Sequence, residues 1–152
     1  MRKKIFKVGY VGAIGKANNL EVVIEAADIL KDSFPNIKFI FVGDGPEKEK
    51  LVYILKSKKL NNVEFKNAIP KIEIIKLMSN MDALFFRLIN SPVFKYGISS
   101  NKLFDYLASG KPIIFSSNST NNLVEEAGAG ITVPPDNPEE LAKAIFYVYH
   151  IT

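Results

Sequence analysis

The chain has no cysteine and a single histidine, His150, among its 152 residues. Without cysteine there is no disulfide scaffold and no thiolate-ligated metal. A lone histidine, with no carboxylate cluster at ligand spacing, gives no reason to expect a protein-bound metal. His150 falls near the end of the last helical stretch, the place of a dipole partner rather than a catalyst. Apolar runs are short, and none approaches the roughly eighteen residues that a membrane-spanning helix needs. The first residues, Met1-Arg-Lys-Lys-Ile-Phe-Lys7, lack the apolar core of a signal peptide. A cytoplasmic setting is expected, with contact at the inner face of a membrane left open. Charge of one sign is also scarce: 20 basic side chains against 16 acidic leave +4. The small lysine clusters at 3–4 and 56–59 read as solvated faces, and no nucleic-acid motif accompanies them.

What remains is an ordinary globular balance, 47% hydrophobic and 24% charged, expected to fold as one domain over 1–152. Short apolar runs alternate with amphipathic stretches from end to end. Residues 8–11 and 37–42 are apolar enough for strands buried on both faces, and each runs into glycine. Further strands are expected at 63–65, 83–86, 112–116 and 131–133. Leu20, Val23, Ile24, Ala27 and Leu30 trace one helical face. A second helix is expected from Asp44-Gly45-Pro46, with Leu51, Ile54 and Leu55 inward. A third opens at Pro70 with Ile72, Ile75 and Met78 as its buried side. Others are expected at 101–109 and 121–127, and the last spans 139–148. Regular alternation means right-handed crossovers, hence a Rossmann-like α/β/α domain with a mainly parallel six-stranded sheet. In such a sheet ligands gather beyond the strand carboxyl ends. Loops near 12–16, 43–46, 67–71, 87–100 and 116–122 therefore share one edge.

Two of these loops suit an anion. Gly12-Ala-Ile-Gly-Lys16 follows the first strand, so Gly12 and Gly15 allow close backbone approach while Lys16 supplies charge. The segment at 99–102, Ser99, Ser100, Asn101 and Lys102, caps a helix in which Leu103, Tyr106 and Leu107 recur at helical spacing. Gly110 is placed to stop that helix in a left-handed conformation. A helix start there presents free N–H groups and a positive dipole end to a phosphate, and Asp105 would face ribose hydroxyls. Gly43-Asp-Gly-Pro46 reads mainly as a structural turn.

Asp-Tyr-Leu-Ala-Ser-Gly-Lys-Pro-Ile-Ile at 105–114 resembles the donor-binding segment of retaining GT-B glycosyltransferases (group 1, family 4 type) that build bacterial polysaccharides. That pattern carries two acidic residues with seven between them, then Ala-x-x-Ala-x-Gly-x-Pro. Asp105 takes the second acidic position, whereas Gly97 stands at the first. Ser-x-Lys-Leu-Phe-Asp-Tyr-Leu-Ala at 100–108 resembles a subgroup acting in capsule and lipopolysaccharide assembly. The family's usual arginine after the first strand is replaced here by Ala13, which leaves Lys16 as the nearby cation.

The resemblance implies the C-terminal, donor-binding half of such an enzyme, without its N-terminal acceptor domain. It implies a nucleotide-diphosphate sugar as donor, such as a UDP- or GDP-sugar, and a polysaccharide or lipid-linked acceptor. Asn67-Ala-Ile-Pro70 matches the loop that holds the nucleobase edge, with Ile69 and Pro70 against the base. Lys16 and the helix start near Ser100 would stabilise charge growing on the diphosphate with no metal cofactor. No catalytic residue is expected in this half. Two alternatives stand beside it: a non-catalytic nucleotide or anion-binding α/β module, and half of a sugar-nucleotide epimerase. The first, if receiver-like, needs acids after the first strand that 12–16 does not offer.

Overall fold

The computed structural model describes residues 4–88, 108–117 and 130–151. Six strands form one sheet: β1 (Phe6–Val11), β2 (Ile37–Val42), β3 (Val63–Lys66), β4 (Ala83–Leu88), β5 (Ile113–Ser117) and β6 (Gly130–Val133). Their spatial order is β3-β2-β1-β4-β5-β6. Every neighbouring pair is parallel. The described helices are α1 (Glu21–Leu30), α2 (Lys48–Lys58), α3 (Lys71–Ser79) and α4 (Pro138–Ile151), with a 3₁₀ turn at Lys16–Asn18. The expected parallel α/β architecture is present. The sheet reverses its winding between β1 and β4, the point where such sheets open a crevice.

Both faces of the sheet are buried, which is why the strands read as continuous apolar runs. Phe6, Val8, Tyr10, Ile37, Phe39, Phe41, Phe85 and Ile114 join residues of α1, α2 and α4 in one cluster. Val11, Ile40, Val42, Leu84, Phe86, Ile113 and Phe115 join Met78 and Met81 on the other face. The alternation along each strand assigns successive side chains to opposite faces. The α1 stripe of Leu20, Val23, Ile24, Ala27 and Leu30 is buried as its spacing predicts. In α2, Leu51 and Leu55 are buried and Ile54 packs against them partly buried.

Two helix readings need correction. α2 begins at Lys48 rather than at 44–46, because Gly45 is held against the first loop: a Cβ there would lie 2.2 Å from the Ile14 carbonyl oxygen. Pro46 therefore sits in the turn before the helix. In α3 only Met78 of the expected face is buried, while Ile72 and Ile75 are 79% and 65% exposed. Ile74 and Leu77 pack beside Met78 instead. Apolar residues occupy both sides of this short helix, so spacing alone left two faces to choose between, and contact with the sheet decides it.

Ala108 is helical, and Gly110 has φ +74°, the left-handed stop expected at that position. α4 runs from the carboxyl edge of the sheet to its amino edge. There His150 packs against Phe34, Phe146 and Tyr149, with Nδ1 2.9 Å from the Phe146 carbonyl. That position, beside the residues that precede β2, is remote from the strand carboxyl ends. No helix among the described residues is long and apolar enough to cross a membrane.

Candidate functional site

The site grows from three turns at the carboxyl edge. After β1, the chain folds back over its own strand: Ala13 O accepts hydrogen bonds from the Tyr10 hydroxyl at 2.6 Å and from Asn18 Nδ2 at 2.8 Å. Burial pushes the Tyr10 hydroxyl well above its ordinary pKa, so it stays a donor across the physiological range. Ile14 is fully buried and anchors the turn. The amides of Gly12 and Ile14 donate to Val42 O and Asp44 O, both at 3.0 Å. Those of Ala13, Gly15 and Lys16 have no protein partner among the described residues. Gly15 has open space above it. Lys16 is exposed and forms no ion pair among the described residues.

The second turn follows β2 and is pressed against the first. Gly43 adopts φ +150°, and a Cβ on it would lie 1.9 Å from Gly12 O. Only glycines at 43 and 45 allow two backbones to approach so closely. The third turn, at 67–69, leads into α3, whose N-terminus follows Pro70. Its link to the second is polar. Lys48 Nζ reaches Gly43 O at 3.2 Å, Asp44 Oδ1 at 3.1 Å and Asn67 Oδ1 at 3.0 Å. Asp44 Oδ2 faces the Ala68 amide at 3.4 Å. The hydrogen bond from Lys48, then that from Ala68, hold the Asp44 carboxyl below the usual carboxylate range.

Between these turns lies a mostly apolar cavity of about 320 Å³, within the roughly 300–1,000 Å³ of small-molecule sites. Val11, Gly12 and Ala13 form one wall, Val42, Gly43 and Asp44 the second, and Ala68 and Ile69 the third. Ile74 and Met78 of α3 close its base. Of the expected site residues, the structure brings Gly12 and Ile69 together around this cavity. Pro70 does not line it and is the residue preceding α3, and Gly15 and Lys16 lie further along the first turn. Ser99, Ser100, Asn101, Lys102 and Asp105, together with Gly97, lie outside the described residues.

Sequence reasoning missed Asp44, Ala68 and Met78 as lining groups, and Lys48 as the residue that joins two turns. The spacing of Asp44 and Lys48, four apart, was the one readable signal. It also missed why Arg87 lies near the end of a buried strand. The Arg87 side chain is only 6% exposed and pairs with Asp136 Oδ1 at 2.9 Å. Asn19 Nδ2 donates to the same oxygen. The turn after β1, the end of β4 and the turn before α4 are thus joined at one carboxylate.

That carboxylate gives a pH test. The bond from Asn19 chiefly lowers the Asp136 pKa, with Arg87 adding and burial opposing. A depressed native value stabilises the fold fully above the unfolded value of about 3.9, and the gain is lost as pH falls through the lower native value. Melting temperature should therefore be flat near neutrality and fall below about pH 4. Asp136→Asn should flatten part of that slope, and asparagine tolerates the left-handed φ of +59° found there. An unchanged acid slope in the variant would remove Asp136 from the account.

A doubly wound parallel sheet, with its glycine-hinged turns gathered over an apolar slot at the carboxyl edge, defines a Rossmann-like α/β ligand-binding domain. Within that class, residues 2–151 match the family described as glycosyl transferases group 1, and the chain belongs to it. It is 27% identical over 137 residues to the alpha-D-kanosaminyltransferase of Streptomyces kanamyceticus, across 90% of this chain and 34% of that protein. The chain thus spans about a third of the length of that curated relative. Among solved structures, the pneumococcal O-GlcNAc transferase GtfA, in complex with UDP and GlcNAc, superposes with a TM-score of 0.76. Identity is 15%, over 98% of this chain and 30% of that one. The C-terminal domain of the group 1 glycosyl transferase LpcC from Francisella tularensis superposes with a TM-score of 0.72 at 17% identity, over 97% of this chain and 76% of that one. The fold is that of the C-terminal half of a GT-B glycosyltransferase. The alternatives of a non-catalytic nucleotide or anion-binding module and of an epimerase half are not favoured.

Proposed function

We propose that this chain is the donor-binding domain of a glycosyltransferase. It would take a nucleotide-diphosphate sugar, such as a UDP- or GDP-sugar, and present it to a polysaccharide or lipid-linked acceptor held by a separate domain. The observation that carries this reading is the apolar slot at the carboxyl edge, next to a turn with an exposed lysine and with amides that have no partner among the described residues. A flat base fits against Ile69, Ile74 and Met78, and the diphosphate then falls along the turn from Gly12 to Lys16. The UDP bound in GtfA is in keeping with that chemistry.

The remaining groups are assigned from the sequence pattern. Backbone amides at the helix start formed by Ser99, Ser100, Asn101 and Lys102 would face the diphosphate, and Asp105 would accept hydrogen bonds from ribose hydroxyls. As the glycosyl bond breaks, negative charge grows on the leaving diphosphate. Oriented amides and Lys16 would stabilise that charge without a metal ion. Gly97 offers no carboxylate to the sugar ring, so sugar selection falls to other residues. A chain without cysteine suits a reducing cytoplasm.

Calorimetric titration of the chain with UDP, GDP and ADP tests the reading. One of the three should bind better than free phosphate. Lys16→Ala and Asp105→Ala should each weaken it by about tenfold, the value of one charge-assisted hydrogen bond. No sugar transfer is expected from these 152 residues alone. Nucleotides binding no better than phosphate, or robust transfer by the isolated chain, would overturn it.

A further inference from the structure

The geometry points to Lys48 and Asp44 as positioning residues that hold the 67–69 turn in shape for a flat heterocyclic base, and so set affinity for base-bearing ligands. This deepens the reading of the slot as a base site and rests on it.

Lys48 is the hub. Its ammonium group has three donors, and its three acceptors come from two different turns: Gly43 O, Asp44 Oδ1 and Asn67 Oδ1. With its side chain only 21% exposed, it is less screened than an ordinary surface lysine. Asp44 completes the link through its second oxygen, which faces the Ala68 amide. Among the described residues these are the only polar restraints on Asn67 and Ala68. Among the described residues the Ile69 amide and the carbonyls of Asn67 and Ala68 have no protein partner. The turn thus offers free hydrogen-bonding groups beside the slot while its shape is held from behind by a residue that does not line the cavity.

Preorganisation is the physical gain. A turn without restraint must be ordered when a ligand arrives, and that entropy is subtracted from affinity. Removing the link should leave the fold intact, because β2 and β3 remain paired from Phe39↔Val63 to Val42↔Lys66. The loss should fall only on ligands that reach the slot. Pyrophosphate, which has no base, should not sense it.

Calorimetry on the chain separates these effects, with UDP, GDP, ADP and pyrophosphate as probes. Lys48→Met should weaken the preferred nucleoside diphosphate about tenfold while leaving pyrophosphate affinity unchanged and lowering the melting temperature only modestly, by the loss of its bonds to Gly43, Asp44 and Asn67. Asn67→Ala should do the same, and the double variant should be no worse than either single, since both remove one linkage. Lys48→Arg should restore affinity to within about threefold by supplying donors to the same carbonyls. If Lys48→Met and Asn67→Ala both retain full nucleotide affinity, the positioning role is refuted and the slot reading survives. An equal loss for pyrophosphate also refutes it, because Lys48 would then act as a plain charge. If the unaltered chain binds no nucleotide better than pyrophosphate, the slot reading itself fails and the positioning role with it.

Discussion

Replacing Gly43 with alanine is expected to destabilise the domain by about 3 kcal/mol or more, through overpacking and a strained backbone together. The new Cβ would lie 1.9 Å from Gly12 O, a backbone atom fixed by its own strand. Neither turn can retreat, because Gly12 N donates to Val42 O and Ile14 N to Asp44 O. The φ of +150° adds strain for any residue with a side chain. For a domain of this size such a loss lowers the melting temperature by roughly 6–12 °C. Gly15→Ala is the matched control. Nothing lies within 4 Å of its added Cβ, and its φ of −119° suits any residue. It should melt within about 2 °C of the unaltered chain, as surface substitutions do. A Gly43→Ala variant that melts with the control would contradict the close approach of the two turns.

Filling the slot should separate binding from folding. Ala68 is exposed on the third turn and lines the cavity, so Ala68→Trp adds an aromatic ring at the mouth without displacing a core residue. Stability should change by no more than about 0.5 kcal/mol, as for other surface positions. Affinity for the preferred nucleoside diphosphate should fall by more than about a hundredfold, or about 2.7 kcal/mol. Pyrophosphate binding should persist, because Lys16 and the amides of the first turn are untouched. Calorimetry on both ligands checks it. Retained nucleotide affinity would mean that the base lies somewhere other than between Ile69 and Met78.

The two expectations depend on different kinds of contact, and that difference marks what could be read beforehand. Parallel strands buried on both faces must be apolar along their whole length, so the run Ile-Lys-Phe-Ile-Phe-Val at 37–42 announced β2 without any partner being known. The same logic found β1 and β5 to within two residues. It failed at α3, where Ile72, Ile74, Ile75, Leu77 and Met78 leave no polar side to set against an apolar one. Turns with glycine were legible as turns because the backbone there needs freedom or close approach. That Gly43 faces Gly12, however, is a contact between segments thirty residues apart.

By itself, then, the sequence determined the alternation of strands and helices, the parallel sheet, and the sheet edge that the turns at Gly12 and Ile69 share, because hydrophobic period and turn chemistry are local. The reach of Lys48 to Asn67 and the meeting of Arg87, Asn19 and Asp136 were decided only by the tertiary structure. Those partners are brought together by strand order and crossover, and no local preference records which distant turn a polar side chain will find.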